Sequence, residues 1–120
     1  MRGPSTAAVA LVQGAFYVAT GVWALVDLDS FMAVTGPKVD HWLVKTVGVL
    51  VTLIGAVLLL AWRRQRVTAE IVFLAVGCAL SLAAVDVIYV SNGTILPVYL
   101  LDAVAEVGLA LAWIPAGHRR

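Results

Sequence analysis

The stretch that decides the fold runs from Cys78 to Leu109 and reads CALSLAAVDVIYVSNGTILPVYLLDAVAEVGL. Two apolar runs in it are separated by the turn residues Ser91–Thr94. Three ionisable residues interrupt the apolar runs, namely Asp86, Asp102 and Glu106. A charged side chain at the centre of a membrane costs about 2.5–3.5 kcal/mol on insertion scales, so such residues usually face a partner or a water-filled cavity. The hairpin therefore predicts a buried polar site.

The composition of the chain is typical of an integral membrane protein. Of its 120 residues, 62% are hydrophobic and 12% are charged, and the mean hydropathy is +1.02. Because one span needs about 20 apolar residues, the chain has room for four spans and short loops. We predict an all-α fold, an antiparallel bundle of four transmembrane helices in a single domain, residues 1–120. The helices are expected at about residues 6–26, 43–62, 68–90 and 95–114, with a short extracytoplasmic interfacial segment between the first two.

The basic residues are unevenly distributed although the net charge is only +1. Arginines occur near both termini and in the loop between the second and third predicted helices, at positions Arg2, Arg63, Arg64, Arg66, Arg119 and Arg120. The two lysines, Lys38 and Lys45, fall on the other side. By the positive-inside rule, we predict a multi-pass protein of the plasma (inner) membrane with both termini in the cytoplasm. A short arginine loop between two spans is a topology signal, so nucleic acid is not an expected partner.

The first predicted helix carries a polar stripe. Gln13, Tyr17, Thr20 and Asp27 are spaced by four, three and seven residues, which places them on one helical face. This face either packs against a neighbouring helix or forms the wall of a cavity. The short segment after Asp27 is expected to form an interfacial helix followed by a turn at Gly36.

The second predicted helix carries a similar stripe of small and polar residues, at His41, Lys45, Gly48, Thr52 and Gly55. The small residues of this stripe allow a neighbouring backbone to approach closely, so they predict a packing seam. Lys45 either extends to the membrane surface or pairs with Asp27, Asp86 or Asp102.

Several residues have expected structural roles. Thr68 is a candidate cap for the third helix, with Glu70 in its first turn, and Pro97 suits the first turn of the fourth helix. The four tryptophans are expected at the membrane boundaries, Trp23 and Trp42 on the outer side, Trp62 and Trp113 on the cytoplasmic side.

Asp86 and Asp102 are expected at matching depths across the hairpin, with Glu106 deeper. At about 1.5 Å per residue, Asp86 lies roughly 6 Å inside the end of its helix and Asp102 roughly 8 Å inside the start of the next. Glu106 lies one turn deeper on the face of Asp102. A carboxylic acid beside a carboxylate is the arrangement that general acid–base catalysis and proton-coupled carriers use. We therefore predict these three as catalytic residues, with ligand-binding residues at Gln13, Tyr17, Thr20, Asp27, Lys45 and Tyr89.

No cofactor is predicted from the sequence. The two histidines, His41 and His118, are expected on opposite sides of the membrane, and the single cysteine, Cys78, lies within a span. These positions favour neither a metal site nor haem ligation.

The segment from residue 31 to residue 48 reads FMAVTGPKVDHWLVKTVG. It resembles a group of small uncharacterised bacterial membrane proteins with four helices, a resemblance that implies four spans and no known activity. In general architecture the chain also looks like small four-helix modules such as the DoxX-like proteins and the group of sterol isomerases and sigma-2 receptors. The resemblance to that group implies a pocket in which membrane carboxylates meet lipid-like ligands.

Three functional hypotheses follow from these features. The first is a membrane protein that binds an amphipathic, lipid-like or isoprenoid-like molecule in a carboxylate-lined pocket in the outer half of the bundle. As an enzyme it would be an acid–base isomerase, cyclase or hydrolase. The second is a proton-coupled carrier that works as a homodimer. Small multidrug transporters have a similar length, but their pattern differs from that of this chain. Their key glutamate lies in the first helix, where this chain has Gln13. The third is an accessory subunit that binds other membrane chains.

Overall fold

The computed structural model describes residues 6–36, 41–95 and 97–117, with side chains as far as residue 114. These residues form five α-helices: α1 (Thr6–Val26), α2 (Leu28–Thr35), α3 (His41–Arg64), α4 (Ala69–Ser91) and α5 (Tyr99–Gly117). The predicted all-helical fold is confirmed at this level. Some residues on which the predicted topology and the absence of a predicted metal site depend lie outside the described residues. They are Arg2, Lys38, His118, Arg119 and Arg120.

The helix boundaries follow local chemistry. α1 begins and ends at the predicted residues, and the predicted short segment after it forms α2. α3 is longer than its apolar run at both ends, and its last turn contains Arg63 and Arg64. Because the carboxyl end of a helix carries partial negative charge, these arginines stabilise the extra turn.

α5 begins at Tyr99, later than the predicted residue 95, because Pro97 takes part in a tight turn before the helix. The amide of Leu100 donates to the carbonyl of Pro97 at 2.9 Å, and α5 begins only at Tyr99. The expected place of Pro97 inside the helix is therefore wrong.

Two side-chain caps start helices. The Thr68 side chain accepts a hydrogen bond from the amide of Ile71, as predicted, and caps α4. Asp27 caps α2 by accepting from the amide of Ser30 at 3.3 Å. Between α4 and α5, Gly93 adopts a φ of +80° that an L-residue rarely takes, which explains glycine in this turn.

The seam between α1 and α3 is built on glycines. A Cβ atom at Gly55 would lie 2.8 Å from the carbonyl oxygen of Gly14, and one at Gly21 would lie 2.7 Å from that of Gly48. Real Cβ atoms do not come this close, so side chains at these positions would separate the backbones. The predicted small-residue seam of the second span is confirmed, and its partner is α1.

The other helices pack less evenly. α4 packs along α5, and α1 contacts α5, whereas the backbones of α3 and α4 come close at few positions and share the apolar cluster that contains Leu58 and Ala75. A cleft therefore separates α3 from the α4–α5 hairpin. This cleft positions the candidate site described below.

Large apolar side chains are exposed, while the interior holds mainly small and polar ones. Phe73, Leu101 and Val104 are among the most exposed side chains, whereas Ala10, Ala75 and Ala79 are completely buried. This distribution is typical of helices packed in lipid, where close contact of small residues replaces a hydrophobic core. Within the described residues, α1, α3 and α4 are long and apolar enough to cross a membrane.

Candidate functional site

The centre of the candidate site is a hydrogen bond between α1 and α5. The hydroxyl of Tyr17 donates to Oε1 of Glu106 at 2.8 Å. Both side chains are almost fully buried, at 1% and 2% exposure. A buried carboxyl group must have polar partners because its desolvation is costly, and Tyr17 supplies one. The two predicted site residues are therefore brought together although 89 positions separate them.

A cavity of about 590 Å³ opens above this pair, between α1, α2 and α3 on one side and α5 on the other. This volume is typical of small-molecule sites. Its walls are mainly apolar, and its polar groups come from Tyr17, Thr20, Thr35, Tyr99, Asp102 and Glu106. Lysine, arginine and histidine are absent from the described residues that line it. The cavity therefore combines an apolar body with an acidic polar end.

Asp86 and Asp102 face each other across the α4–α5 hairpin. Their carboxyl groups lie close enough to interact with each other. Asp102 lines the cavity, whereas Asp86 is 5% exposed and lies behind it. Oδ2 of Asp86 is buried, and within the part of the chain that the structure describes it has no hydrogen-bond partner. An unsatisfied buried carboxyl oxygen costs free energy, so its presence calls for an explanation.

Gln13 lies one turn below Tyr17 and links three helices. Its Nε2 donates to the carbonyl of Ala75 on α4 at 2.9 Å, and its Oε1 accepts from Nε1 of Trp113 on α5 at 2.7 Å. Gln13 is fully buried and does not line the cavity. Its contacts are structural, in contrast to the ligand-binding role predicted from the stripe.

Three other predicted binding residues lie away from the cavity. Asp27 is exposed and caps α2, Lys45 is exposed on α3, and Tyr89 is 44% exposed on α4. None of the three belongs to the cavity wall. Within the described ranges, Lys45 forms no ion pair with Asp27, Asp86 or Asp102, so the structure agrees with the alternative that Lys45 extends to the surface.

Two contributions were not predicted from the sequence. Tyr99 lines the cavity, and its spacing of three and seven residues from Asp102 and Glu106 could have placed it on their face. Trp113 was expected at the membrane boundary, but it is 2% exposed and bound to Gln13. Trp113 lies seven residues after Glu106, so helical spacing places both residues on the same inward face. Its position near the end of the helix favoured the membrane-boundary interpretation instead.

A second cavity of about 350 Å³ lies along the cleft between α3 and α4. It shares Tyr17, Val51 and Leu82 with the first cavity, so the two adjoin. Its remaining lining is apolar or weakly polar, with Phe73, Gly77, Cys78 and Ser81 on α4.

Comparison with protein-family models, with curated proteins and with solved structures found no match for this chain.

Proposed function

We propose that the chain is a multi-pass protein of the inner membrane in which α1, α3, α4 and α5 form an antiparallel four-helix bundle. The lipid-facing exposure of large apolar side chains supports this arrangement. In it, both termini and the arginine loop between α3 and α4 are cytoplasmic, and α2 lies in the outer interface. The cavity beside α2 then opens in the outer half of the bundle.

We further propose that this cavity binds a small lipid-like or isoprenoid-like molecule. The observation that carries the proposal is the pairing of an apolar cavity of about 590 Å³ with the carboxyl groups of Asp102 and Glu106 in its wall. A ligand with an apolar body and a polar end that donates hydrogen bonds complements this lining. The cavity between α3 and α4 that adjoins this one supports lateral entry of the ligand from the bilayer.

The carboxyl groups suit acid–base chemistry on the bound molecule, such as isomerisation, cyclisation or hydrolysis. Two neighbouring buried carboxylates repel each other, so in this proposal one of the pair holds a proton and the Asp86–Asp102 pair is the proton donor to the ligand. Glu106 already accepts from the Tyr17 hydroxyl, and its carboxylate is the proton acceptor. Tyr17 is a positioning residue that orients Glu106.

The Gln13 linkage favours this function over a proton-coupled carrier. A carrier needs a polar path through the whole bundle, but below Tyr17 the core is closed by Gln13, Trp113 and small apolar residues. Binding to other membrane chains as an accessory subunit remains an outcome that the following experiment distinguishes.

The test is native mass spectrometry and lipidomics of the purified protein, comparing wild type with Asp102→Asn and Glu106→Gln. We expect a small lipid to co-purify with wild type and to be reduced about tenfold or more in both variants. A hydrogen bond to a charged group contributes about 1.5–3 kcal/mol, which corresponds to this loss. Glu70→Gln, which neutralises an exposed carboxylate of α4, is the matched control and should retain the lipid.

The stability of the variants separates a binding defect from misfolding. Since neutral side chains cost less to bury, Asp102→Asn and Glu106→Gln should unfold no more readily than wild type. Loss of a co-purifying protein instead of a lipid would support the accessory-subunit function. Retention of every co-purifying molecule in both variants would contradict the site assignment.

A further inference from the structure

The second cavity adjoins the carboxyl site but has a different chemistry. It lies along α4 from Phe73 to Leu82, a rise of about 14 Å at the usual helical spacing. Within the described residues its lining has no carboxyl or cationic group. Tyr17 lies at its junction with the first cavity, beneath the carboxyl groups. Together, the two adjoining cavities therefore provide the carboxyl groups of the first cavity and, beyond Tyr17, an apolar extension along α4.

Gly77 lies in the wall of the second cavity. A Cβ atom at Gly77 would meet no other atom within 4 Å, so this glycine is not required by helix packing. A glycine inside a helix costs about 1 kcal/mol relative to alanine. At Gly77 it keeps the cleft wall flat beside Cys78, which is half-buried.

The head of the occupant is defined by the first cavity. Among the described residues, neither cavity is lined by lysine, arginine or histidine, so an anionic head such as a carboxylate or phosphate would find no counter-charge. The carboxyl oxygens of Asp102, in the wall of the first cavity, accept hydrogen bonds, so the head of the occupant must supply a donor. A hydroxyl or ammonium group meets this requirement.

We propose that the second cavity is the binding site for the hydrocarbon chain of a single-chain amphipath whose hydrogen-bond-donating head lies at Asp102. This inference rests on the proposed function and adds to it the ligand's shape, its head chemistry and the place of its chain. The hydrocarbon chain of the ligand extends from the carboxyl groups past Tyr17 and along α4 toward Phe73.

The experiment uses octanol and octadecanol as probes with the full-length protein in lipid nanodiscs. Bound alcohol is measured by native mass spectrometry at equal mole fractions in the lipid. Both alcohols should bind wild type, and Asp102→Asn should remove both because it alters the head site.

Gly77→Phe should reduce octadecanol binding about tenfold and leave octanol binding within about twofold, since filling the cavity excludes only a chain that reaches it. Gly108→Phe is the matched control, because Gly108 of α5 also has open space at its Cβ position but lines neither cavity. It should leave the binding of both alcohols unchanged.

A second measurement avoids any variant. Cys78 is the only cysteine of the chain and lines the second cavity, so N-ethylmaleimide reports on its occupancy. Octadecanol should slow the labelling of wild-type Cys78 about tenfold, and octanol should not.

Equal labelling with and without octadecanol, or equal effects of Gly77→Phe and Gly108→Phe, would overturn the chain assignment. If Asp102→Asn still removed both alcohols in that case, the proposed carboxyl site would stand. If wild type retained neither alcohol, both the chain site and the head chemistry would be wrong.

Discussion

Gln13 and Tyr17 lie one turn apart on α1, and each fixes a different part of the α4–α5 hairpin. Tyr17 holds the carboxyl group of Glu106, while Gln13 holds the indole of Trp113 and the backbone at Ala75. In a low-dielectric interior, a polar group without a partner is costly, so each of these side chains constrains the position of its neighbour. Single residues thus decide how deep the cavity extends.

The Gln13–Trp113 hydrogen bond should contribute measurably to stability. In a double-mutant cycle with Gln13→Leu and Trp113→Phe, we expect a coupling free energy of about 0.6–1.7 kcal/mol, the range found for hydrogen bonds between membrane helices. Steric trapping in bicelles measures the free energy of unfolding of the four proteins. Additive effects of the two substitutions would show that the hydrogen bond does not hold α1 to α5. Thr46→Val, at an exposed hydroxyl of α3, serves as a control for polar deletion.

At the scale of elements, four of the five helices form two closely packed pairs, α1 with α3 and α4 with α5. Glycines at a spacing of seven residues hold α1 against α3, with Gly14 facing Gly55 and Gly21 facing Gly48. Buried alanines hold α4 against α5, including Ala83 and Ala103. The pairs meet mainly where α1 contacts α5, and the remaining separation is the cleft. The cavity therefore results from strong packing within pairs and weak packing between α3 and α4.

Gly55→Ala should destabilise the protein by about 1–3 kcal/mol, the usual cost of overpacking. The added methyl group would meet backbone atoms of Gly14 and Val18 at 2.8 Å, and backbone cannot move aside as a flexible side chain can. Gly108→Ala is the control, and it should be neutral or stabilise by up to about 1 kcal/mol because its Cβ position is open. Unfolding free energies in bicelles provide the comparison. Equal effects of the two substitutions would contradict the close α1–α3 approach.

At the scale of the whole molecule, the outward apolar side chains and the arginine distribution together support one proposed orientation. Exposed residues such as Leu53, Leu60 and Phe73 suit hydrocarbon, whereas the loop with Arg63, Arg64 and Arg66 suits the cytoplasmic surface. α2 then lies on the opposite surface, held by the hydrogen bond from Trp23 to Ser30 and the edge contact of Trp23 with Phe31.

Cysteine labelling in intact cells tests this orientation. In a Cys78→Ala background, Asp29→Cys in α2 should react with a membrane-impermeant maleimide, and Gln65→Cys in the arginine loop should react only after permeabilisation. Both positions are exposed, so their difference reports the side of the membrane. The reverse pattern would invert the topology and turn the cavity toward the cytoplasm.

The helices and their inward faces could be predicted from the sequence, because helical spacing and apolar composition are local properties. Residues of the α1 stripe such as Gln13 and Tyr17, and the small residues of α3, are buried as their spacing predicts. Asp86 and Glu106 are buried for the same reason. Exact helix ends were less predictable, since turn geometry at Pro97 depends on backbone hydrogen bonds.

The partner of each inward residue depended on the tertiary structure, because it is set by the rotation and spacing of whole helices. Spacing places Gln13 and Tyr17 on the same face of α1. Only the packing of α1 between α3 and α5 brings Gln13 into hydrogen-bonding distance of Trp113, and Tyr17 into hydrogen-bonding distance of Glu106. The exposure of Lys45 has the same origin, since Gly48 and Gly55 turn toward α1 and leave Lys45 outside the cavity. The sequence by itself determined where the helices lie and most of their inward faces, because these are local properties. The tertiary structure decided that Lys45 is exposed, that Trp113 is buried and which inward side chains meet around the cavity.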